Sequence, residues 1–229
     1  MAPGAAHDGR RRVNIVLYVD AFWSNPFDAA PYVALREKGV AFSTAIALVG
    51  DRTGVTPAIR YQAYTGLEPA LQHGDFWLAE SMAIIEYLED AFPPPQWPSL
   101  FPTAVRARAR ARQLMSWIRM ELLPLREERP SILLFYKFDE PLRPLGPLAT
   151  KLARDLTTVV ERLGPNPDGT LFGEPCIADV DVAFALMRLL RSGHEVPPAV
   201  AAYAEAVWRR PAVREYVEHA RPPHPPRNY

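Results

Sequence analysis

A cluster of prolines near the middle of the chain constrains its fold more than any other feature. Five prolines lie within residues 92–102, between segments that show different apolar patterns. Proline lacks a backbone N–H and cannot continue a helix, so such a stretch makes a semi-rigid linker. At 229 residues, the chain is also longer than a usual single domain. We therefore predict two domains, at residues 13–91 and 103–221, joined by this linker.

The first domain carries a mixture of strand and helix patterns. Short β-branched or apolar runs predict strands, and the run after residue 26 ends at Gly39, a common helix stop. His73, Gly74 and Asp75 separate two short apolar runs at the spacing of a tight hairpin. The predicted order is strand, helix, strand, two hairpin strands and helix, at residues 14–20, 26–38, 41–48, 70–72, 76–78 and 81–91, with a short irregular helix within residues 51–65.

The second domain is predicted to be all helix. Apolar residues recur there every three or four positions, most clearly within residues 107–125 and 148–163. Pro124 interrupts the first of these runs, so we expect a kink or a break there. Residues 177–190 are apolar almost all round, which is typical of a buried central helix.

The composition favours a cytoplasmic protein without a polyanionic partner. The 26 basic and 26 acidic side chains cancel, and no apolar run approaches the length of a membrane span. Cys176 is the only cysteine, so no disulfide can form within the chain, and the five histidines are scattered without metal-ligand spacing. We predict no metal, no nucleic-acid partner and no membrane association.

One motif, at the start of the last helix of the first domain, is specific. The pair Glu80 and Ser81 lies within the apolar residues 78–84, and Pro69 precedes Glu80 by eleven residues. In sequence and spacing this motif resembles the acidic-Ser signature of the cytosolic glutathione S-transferase superfamily. Residues 172–179 and 210–213 are similar to motifs of that family's second domain, and residues 108–117 and 125–130 are similar to a bacterial, YfcF-like subgroup.

This resemblance implies a fold and a function. The first domain would be a thioredoxin-like α/β unit of βαβ-ββα order with a mixed four-stranded sheet, followed by the family's all-helical second domain. The protein would be a homodimer that uses glutathione as its co-substrate. It would conjugate the glutathione thiolate to small hydrophobic electrophiles and reduce organic hydroperoxides. The alternatives are a non-catalytic interaction module on the same fold, or a glutathione-dependent isomerase or ether-cleaving enzyme.

Glu80 and Ser81 have the chemistry to hold the γ-glutamyl end of glutathione, which carries an ammonium beside a carboxylate. The Glu80 carboxylate can pair with the ammonium, while the Ser81 hydroxyl and the free N–H groups of a helix start can bind the carboxylate. A simpler interpretation makes Ser81 only the N-cap of that helix. By resemblance, Pro69 is cis and presents the backbone of Glu68 to the cysteinyl part of the tripeptide.

The residue that would stabilise the glutathione thiolate has several candidates. A thiol titrates near about 8.5 when unperturbed, so reaction at neutral pH needs a donor to its sulfur. In relatives that use serine, this donor directly precedes a Pro-Phe pair. Here Asn25 precedes Pro26 and Phe27, and Ser24 lies one residue earlier. The Ser24 hydroxyl, the Asn25 amide, backbone N–H groups and Tyr18 all remain open, and Asn25 would equally serve as a structural N-cap.

The second substrate is expected in the crevice between the domains, a common place for small-molecule pockets. Arg119 could polarise an electrophile there, although its place on a helix favours a solvated side chain. No cysteine lies between Asp20 and Phe27, so the chain lacks the nucleophile that thiol-transferring relatives use. Six residues could form an apolar wall: Phe22, Trp23, Trp117, Met120, Phe135 and Tyr136.

Overall fold

The first part of the chain folds in the predicted βαβ-ββα order. The computed structural model describes residues 14–47, 59, 62–66, 68–137 and 142–223. The elements of its first part are β1 (Ile15–Val19), α1 (Pro26–Glu37), β2 (Ser43–Ile46), β3 (Ala70–His73), β4 (Phe76–Ala79) and α2 (Ser81–Ala91). The irregular helix predicted within residues 51–65 lies largely outside the described residues.

The four strands form one mixed sheet in the order β2-β1-β3-β4. Strand β1 runs parallel to β2 and antiparallel to β3, while β3 and β4 form the predicted hairpin. Gly74 in the hairpin turn has a φ of +64°, which glycine adopts without steric penalty. Because Tyr18 pairs with Ala70, and Ala70 with Ala79, the ends of β1 and β4 and the start of β3 meet at one end of the sheet.

Helices form the second part. Their bounds are α3 (Val105–Glu121), α4 (Leu123–Glu128), α5 (Pro147–Leu163), α6 (Ile177–Arg191), α7 (Pro198–Trp208) and α8 (Pro211–Val217), with a 3-10 turn at Ser131–Leu134. Pro124 stands at the start of α4, so the chain breaks into two helices there rather than kinking. Every residue of α6 from Ile177 to Leu189 is buried, which confirms the predicted central helix. Helix α6 packs against both α1 and α3, so the two parts share one apolar core.

The described residues contain neither a membrane-spanning helix nor a cluster of metal ligands. None of their helices is both long enough and apolar enough to cross a membrane. No three His, Cys, Asp or Glu side chains in the same ranges lie close enough together to hold a metal ion.

A buried carboxylate fastens the start of α6. Asp179 accepts hydrogen bonds from the backbone N–H of Cys176 (2.9 Å), the hydroxyl of Tyr203 (3.0 Å) and Nη2 of Arg210 (2.8 Å). Burial raises the pKa of Asp179, and the Arg210 guanidinium opposes that shift. Burial also raises the pKa of the Cys176 thiol, so this group has little thiolate character. Cys176 is therefore a structural residue at the helix start.

A buried lysine attaches the proline-rich linker to the first part of the chain. The Lys38 ammonium, at the end of α1, donates to the carbonyls of Phe92 (2.7 Å) and Pro98 (2.9 Å) and lies 2.7 Å from the Glu89 carboxylate. Burial disfavours the charged form of Glu89. The hydrogen bonds from Lys38 and from the Leu100 N–H nevertheless lower the pKa of Glu89 below its usual value. One ammonium thus joins α1, α2 and the linker.

Replacing Lys38 by methionine should destabilise the protein by about 3–5 kcal/mol, because it leaves the Glu89 carboxylate and two carbonyls buried without their partner. The measurement is the free energy of unfolding in urea. Lys151→Met is the matched control, since the pair of Lys151 with Asp155 is exposed, and it should cost less than about 1 kcal/mol. Equal losses in the two variants would show that Lys38 does not hold the linker.

Candidate functional site

The loop between β1 and α1 wraps around Asp20. The Asp20 carboxylate accepts hydrogen bonds from the backbone N–H groups of Phe22 (2.7 Å), Ser24 (2.8 Å) and Asn25 (2.8 Å). The N–H of Trp23 donates to the Asp20 carbonyl oxygen at 3.2 Å. Four consecutive backbone donors therefore turn toward one residue, which fixes the shape of this loop.

Asn25 is the N-cap of α1, as the structural interpretation of this residue predicts. Its Oδ1 accepts from the Phe27 N–H (3.0 Å), and its Nδ2 donates to Oδ1 of Asp28 (3.0 Å). Pro26 has no N–H, so every backbone donor from residue 22 to residue 27 is already used. Ser24 differs, because the hydroxyl of this half-buried residue has no hydrogen-bond partner within the described part of the chain.

Two buried groups support the loop from the protein side. Asp28 is fully buried, and its Oδ2 accepts from the Asp20 N–H at 2.6 Å. Burial raises the pKa of Asp28, an effect that this N–H opposes and the nearby Asp20 charge reinforces. The Tyr216 hydroxyl donates to the Asn25 carbonyl at 2.9 Å. The start of α1 is thus held by the loop before it and by α8.

The segment after α8 holds the outer side of the loop. Trp23 has a φ of +50°, is buried, and stacks on the His219 ring at a centroid distance of 3.6 Å. Its carbonyl accepts from Nε (3.1 Å) and Nη2 (3.0 Å) of Arg221. A positive φ is uncommon for a residue with a side chain, and such conformations cluster at functional sites. Trp23 therefore belongs to the frame of the loop and does not form the predicted apolar wall.

Glu80 and Ser81 lie at the end of the sheet that this loop also occupies. Glu80 is exposed, has a φ of +71° and takes the N-cap position of α2 without a side-chain cap. Ser81 is the first residue of the helix and Glu80 is its N-cap, so the simpler interpretation, in which Ser81 is only the N-cap, does not hold. The buried Ser81 hydroxyl instead accepts hydrogen bonds from Nε (3.3 Å) and Nη2 (3.2 Å) of Arg119.

Arg119 connects Ser81 to the second part of the chain. Its guanidinium forms a bidentate ion pair with the carboxylate of Asp181 on α6 and also donates to the Met115 carbonyl at 3.1 Å. Its guanidinium carbon lies 5.5 Å from the centroid of the Phe27 ring. Burial raises the pKa of Asp181, and Arg119 opposes that shift. The expectation of a solvated helical arginine is therefore wrong, because the Arg119 side chain is only 13% exposed and its partner Asp181 is buried.

Pro69 and Glu68 complete this end of the sheet. The bond between them is cis, and Pro69 is buried directly before Ala70, whose partner Ala79 precedes Glu80. Burial raises the pKa of Glu68, and the charge of Asp20 contributes in the same direction. The structure thus brings together the loop after β1, the turn before β3 and the start of α2.

Comparison with known proteins assigns the family. Residues 26–96 match the family model of the glutathione S-transferase N-terminal domain, and residues 104–221 match that of the C-terminal domain. The chain belongs to the glutathione S-transferase family. Its fold is a thioredoxin-like domain with a mixed four-stranded sheet, followed by a helical domain, as the sequence motifs imply.

Three relatives place this glutathione S-transferase among known proteins. A glutathione transferase homolog from Burkholderia gl BGR1, solved with bound glutathione, is 34% identical with a TM-score of 0.72 over 90% of this chain and 96% of that one. A rice transferase in complex with glutathione, at 24% identity and a TM-score of 0.70 over 90% and 91%, shows likeness of fold alone. A maleylpyruvate isomerase from Ralstonia sp is 30% identical over 108 residues, 47% of this chain and half the length of that relative.

Most of the predicted apolar wall of this glutathione S-transferase lies elsewhere. Met120 is 72% exposed, and Trp117 lines a groove between α3 and α5. Phe135 lies under the Arg221 guanidinium, 3.8 Å from its carbon. The apolar crevice beside Ser81 and the loop is built by other residues: Phe27, Leu122, Leu125 and Phe184.

Two arginines in that crevice were not singled out from the sequence. Arg188 and Arg126 line it together with the apolar residues. A signal for Arg188 was present, since it stands within the apolar run that predicts the central helix. Arg126 lies within residues 125–130, which resemble the bacterial subgroup, but that resemblance did not indicate its burial, because a charged residue on a short helix is ordinarily solvated.

Replacing Arg119 by methionine should destabilise the protein by about 3–5 kcal/mol, since Asp181 would remain buried without its partner. The double variant Arg119→Met/Asp181→Leu removes both charges, so most of the lost stability should return. Urea unfolding of the wild type, both single variants and the double variant gives the coupling free energy. A coupling below about 0.5 kcal/mol would contradict the bridge between α3 and α6.

Proposed function

We propose that this protein is a glutathione transferase that binds glutathione at the end of the sheet, stabilises its thiolate and directs it at a second substrate. The observation that supports this proposal most is the hydrogen bonding of the Ser81 hydroxyl. Arg119 provides two hydrogen bonds to the Ser81 oxygen, so the hydroxyl proton is left to donate to a ligand. A ligand carboxylate at this place would also meet the positive end of α2.

The γ-glutamyl end of glutathione matches this arrangement. Its carboxylate would accept from the Ser81 hydroxyl and from the first N–H groups of α2, and its ammonium would pair with the exposed Glu80 carboxylate. The cysteinyl part would lie along the backbone of Glu68, before the cis bond to Pro69. This placement directs the sulfur toward the loop after β1. Bound glutathione in the Burkholderia relative, at 34% identity over most of both chains, supports the same ligand here.

For the thiolate donor, the Ser24 hydroxyl is our first choice. The backbone N–H groups of residues 22–25 all donate to Asp20, and one Asn25 amide hydrogen donates to Asp28. The Ser24 hydroxyl forms no hydrogen bond with any of the described residues. Asn25 keeps one amide hydrogen and is the alternative donor.

The reaction we propose is conjugation of the thiolate to a small electrophile, with reduction of organic hydroperoxides as a further activity. Proximity of the two reactants would supply much of the rate. The similarity to the Ralstonia maleylpyruvate isomerase supports a glutathione-dependent isomerase as the second candidate. A non-catalytic module would bind glutathione without turnover of either kind. We also propose a homodimer, which sedimentation of the purified protein would test.

Glutathione affinity should fall by about 10-fold or more in Ser81→Ala and in Glu80→Gln, because each change removes a charge-assisted contact. The double variant Arg119→Met/Asp181→Leu should also bind glutathione more weakly, because without the two Arg119 hydrogen bonds nothing directs the Ser81 hydroxyl proton toward the ligand. Calorimetric titration measures the dissociation constants. Glu121→Gln, an exposed acidic residue on α3, is the control and should bind as the wild type does. Unchanged affinity in all the site variants would refute this placement of glutathione.

Ser24→Ala should raise the pKa of the bound glutathione thiol toward its free value of about 8.5, because the thiolate loses its donor. The ultraviolet absorbance of the thiolate, followed against pH, measures this shift. Asn25→Ala should leave that pKa unchanged and instead cost about 0.5–2 kcal/mol of stability through loss of the N-cap. The opposite pattern would assign the donor to Asn25.

A further inference from the structure

The crevice beside the proposed glutathione site carries positive charge that the described residues do not balance. Its free volume is about 20 Å³, enough for one water-sized group. Phe27 at the start of α1 forms one wall, three residues after Ser24, so the crevice adjoins the loop after β1. The other residues that matter here are Leu122, Leu125, Phe184, Arg126 and Arg188.

Arg188 is a buried cation with no ion-pair partner in the described ranges. It is 3% exposed, and its Nη1 donates to the backbone carbonyl of Arg129. The other guanidinium nitrogens have no acceptor among the residues with described positions. Burial, with a smaller effect of the Arg126 charge, lowers the pKa of Arg188 to about 9. Arginine is rarely buried to this degree unless an anion pairs with it.

Arg126 adds a second positive charge to the same space. Its Nη1 donates to the Ile118 carbonyl at 2.7 Å, and its guanidinium carbon lies 5.3 Å from the centroid of the Phe27 ring. Burial lowers the pKa of Arg126, the charge of Arg119 acts in the same direction, and the charge of Glu127 opposes the shift. Across the described part of the molecule, no Asp or Glu is close enough to form an ion pair with it.

The single carboxylate of the crevice is already occupied. Asp181 lines the crevice, but both of its oxygens accept hydrogen bonds from Arg119. Arg119 and Asp181 therefore cancel each other, and Arg126 and Arg188 keep their full charges. Removing a charge from water is costly unless an opposite charge or several hydrogen bonds replace that water. An anion in the crevice would supply an opposite charge that Arg188 does not find among the described residues.

The walls and the size of the crevice define the anion. A carboxylate fits the planar fork of a guanidinium through two parallel hydrogen bonds. The free volume accommodates one carboxylate oxygen, so the rest of the acid would lie outside the crevice, beside the half-buried ring of Phe27. The remainder of such a molecule would extend toward Ser24, where the proposed thiolate lies.

We propose that Arg126 and Arg188 bind the carboxylate of the second substrate, so that this transferase acts on carboxylic acids that carry an electrophilic carbon. This inference rests on the proposed function, and it replaces the expectation of a neutral hydrophobic second substrate. Both guanidinium groups line the crevice and would donate to the carboxylate oxygens.

A matched pair of electrophiles tests the charge preference. Chlorodinitrobenzoate carries the carboxylate, and chlorodinitrobenzamide is its neutral counterpart. In both, the glutathione sulfur bonds to the ring carbon that holds chlorine, and chloride leaves with the electron pair of the broken bond. In Arg188→Met and Arg126→Met, kcat/KM for the benzoate should fall about 10-fold or more, while that for the benzamide should change less than about 2-fold.

Two further variants separate charge recognition from support of the fold. Arg110→Met removes an exposed arginine from α3 and should leave kcat/KM for both substrates unchanged. Arg188→Lys keeps the charge and should retain part of the benzoate activity. If Arg188 only supports the Arg129 carbonyl, kcat/KM of Arg188→Met will fall equally for both substrates, and the proposal is overturned.

Direct binding of dinitrobenzoate, which lacks the chlorine and cannot react, tests the site without turnover. Calorimetry should show binding to the wild type that weakens at least about 10-fold in both arginine-to-methionine variants. Unchanged binding in both would also overturn the proposal. If dinitrobenzoate binding depends on the arginines but glutathione does not bind the wild type, the anion site stands and the proposed function fails.

Discussion

The bidentate pair of Arg119 and Asp181 is the interaction on which the site depends. It joins α3 to α6, and the same guanidinium reaches Ser81 at the start of α2. A buried ion pair of this kind contributes little net stability compared with apolar residues of the same shape. The pair instead fixes the orientation of these groups, because a planar guanidinium can bind the carboxylate and the hydroxyl only in one arrangement. The relative position of the two domains and the orientation of Ser81 are thereby linked.

The same pair explains why the neighbouring crevice has unbalanced charge. Asp181 is the acidic residue that could neutralise Arg126 or Arg188, and Arg119 already uses both of its oxygens. The chain therefore places three guanidinium groups around Phe27 and Asp181 with one carboxylate among them. One of these cations orients Ser81, and the other two are left for a ligand. The proposed glutathione site and the proposed second-substrate site would both depend on this one buried carboxylate.

Local signals in the sequence predict the elements well, whereas long-range partners decide the site. Pro93 ends α2 and Gly74 turns the hairpin for reasons that lie within a few residues, so both were predictable. Arg119 was expected to be solvated because no residue near it in the sequence indicates a buried partner. That partner, Asp181, lies sixty-two residues later in the chain. Ser81 looked like an N-cap because only the three-dimensional fold shows that Glu80, with its positive φ, takes that position. The sequence pattern thus predicts the helices but not which side chains on different helices pair with each other.

The choice between Ser24 and Asn25 follows from counting hydrogen-bond donors. A backbone N–H can stabilise a thiolate only if it is not already bound, and each one from residue 22 to residue 27 donates within the loop. The Asn25 amide holds Asp28 and caps α1 in one orientation, so its remaining hydrogen can donate only in the direction which that orientation fixes. The Ser24 hydroxyl can rotate to a sulfur without breaking any hydrogen bond of the described structure. The rigidity that Asp20 gives the loop is therefore the reason why we propose Ser24 as the donor.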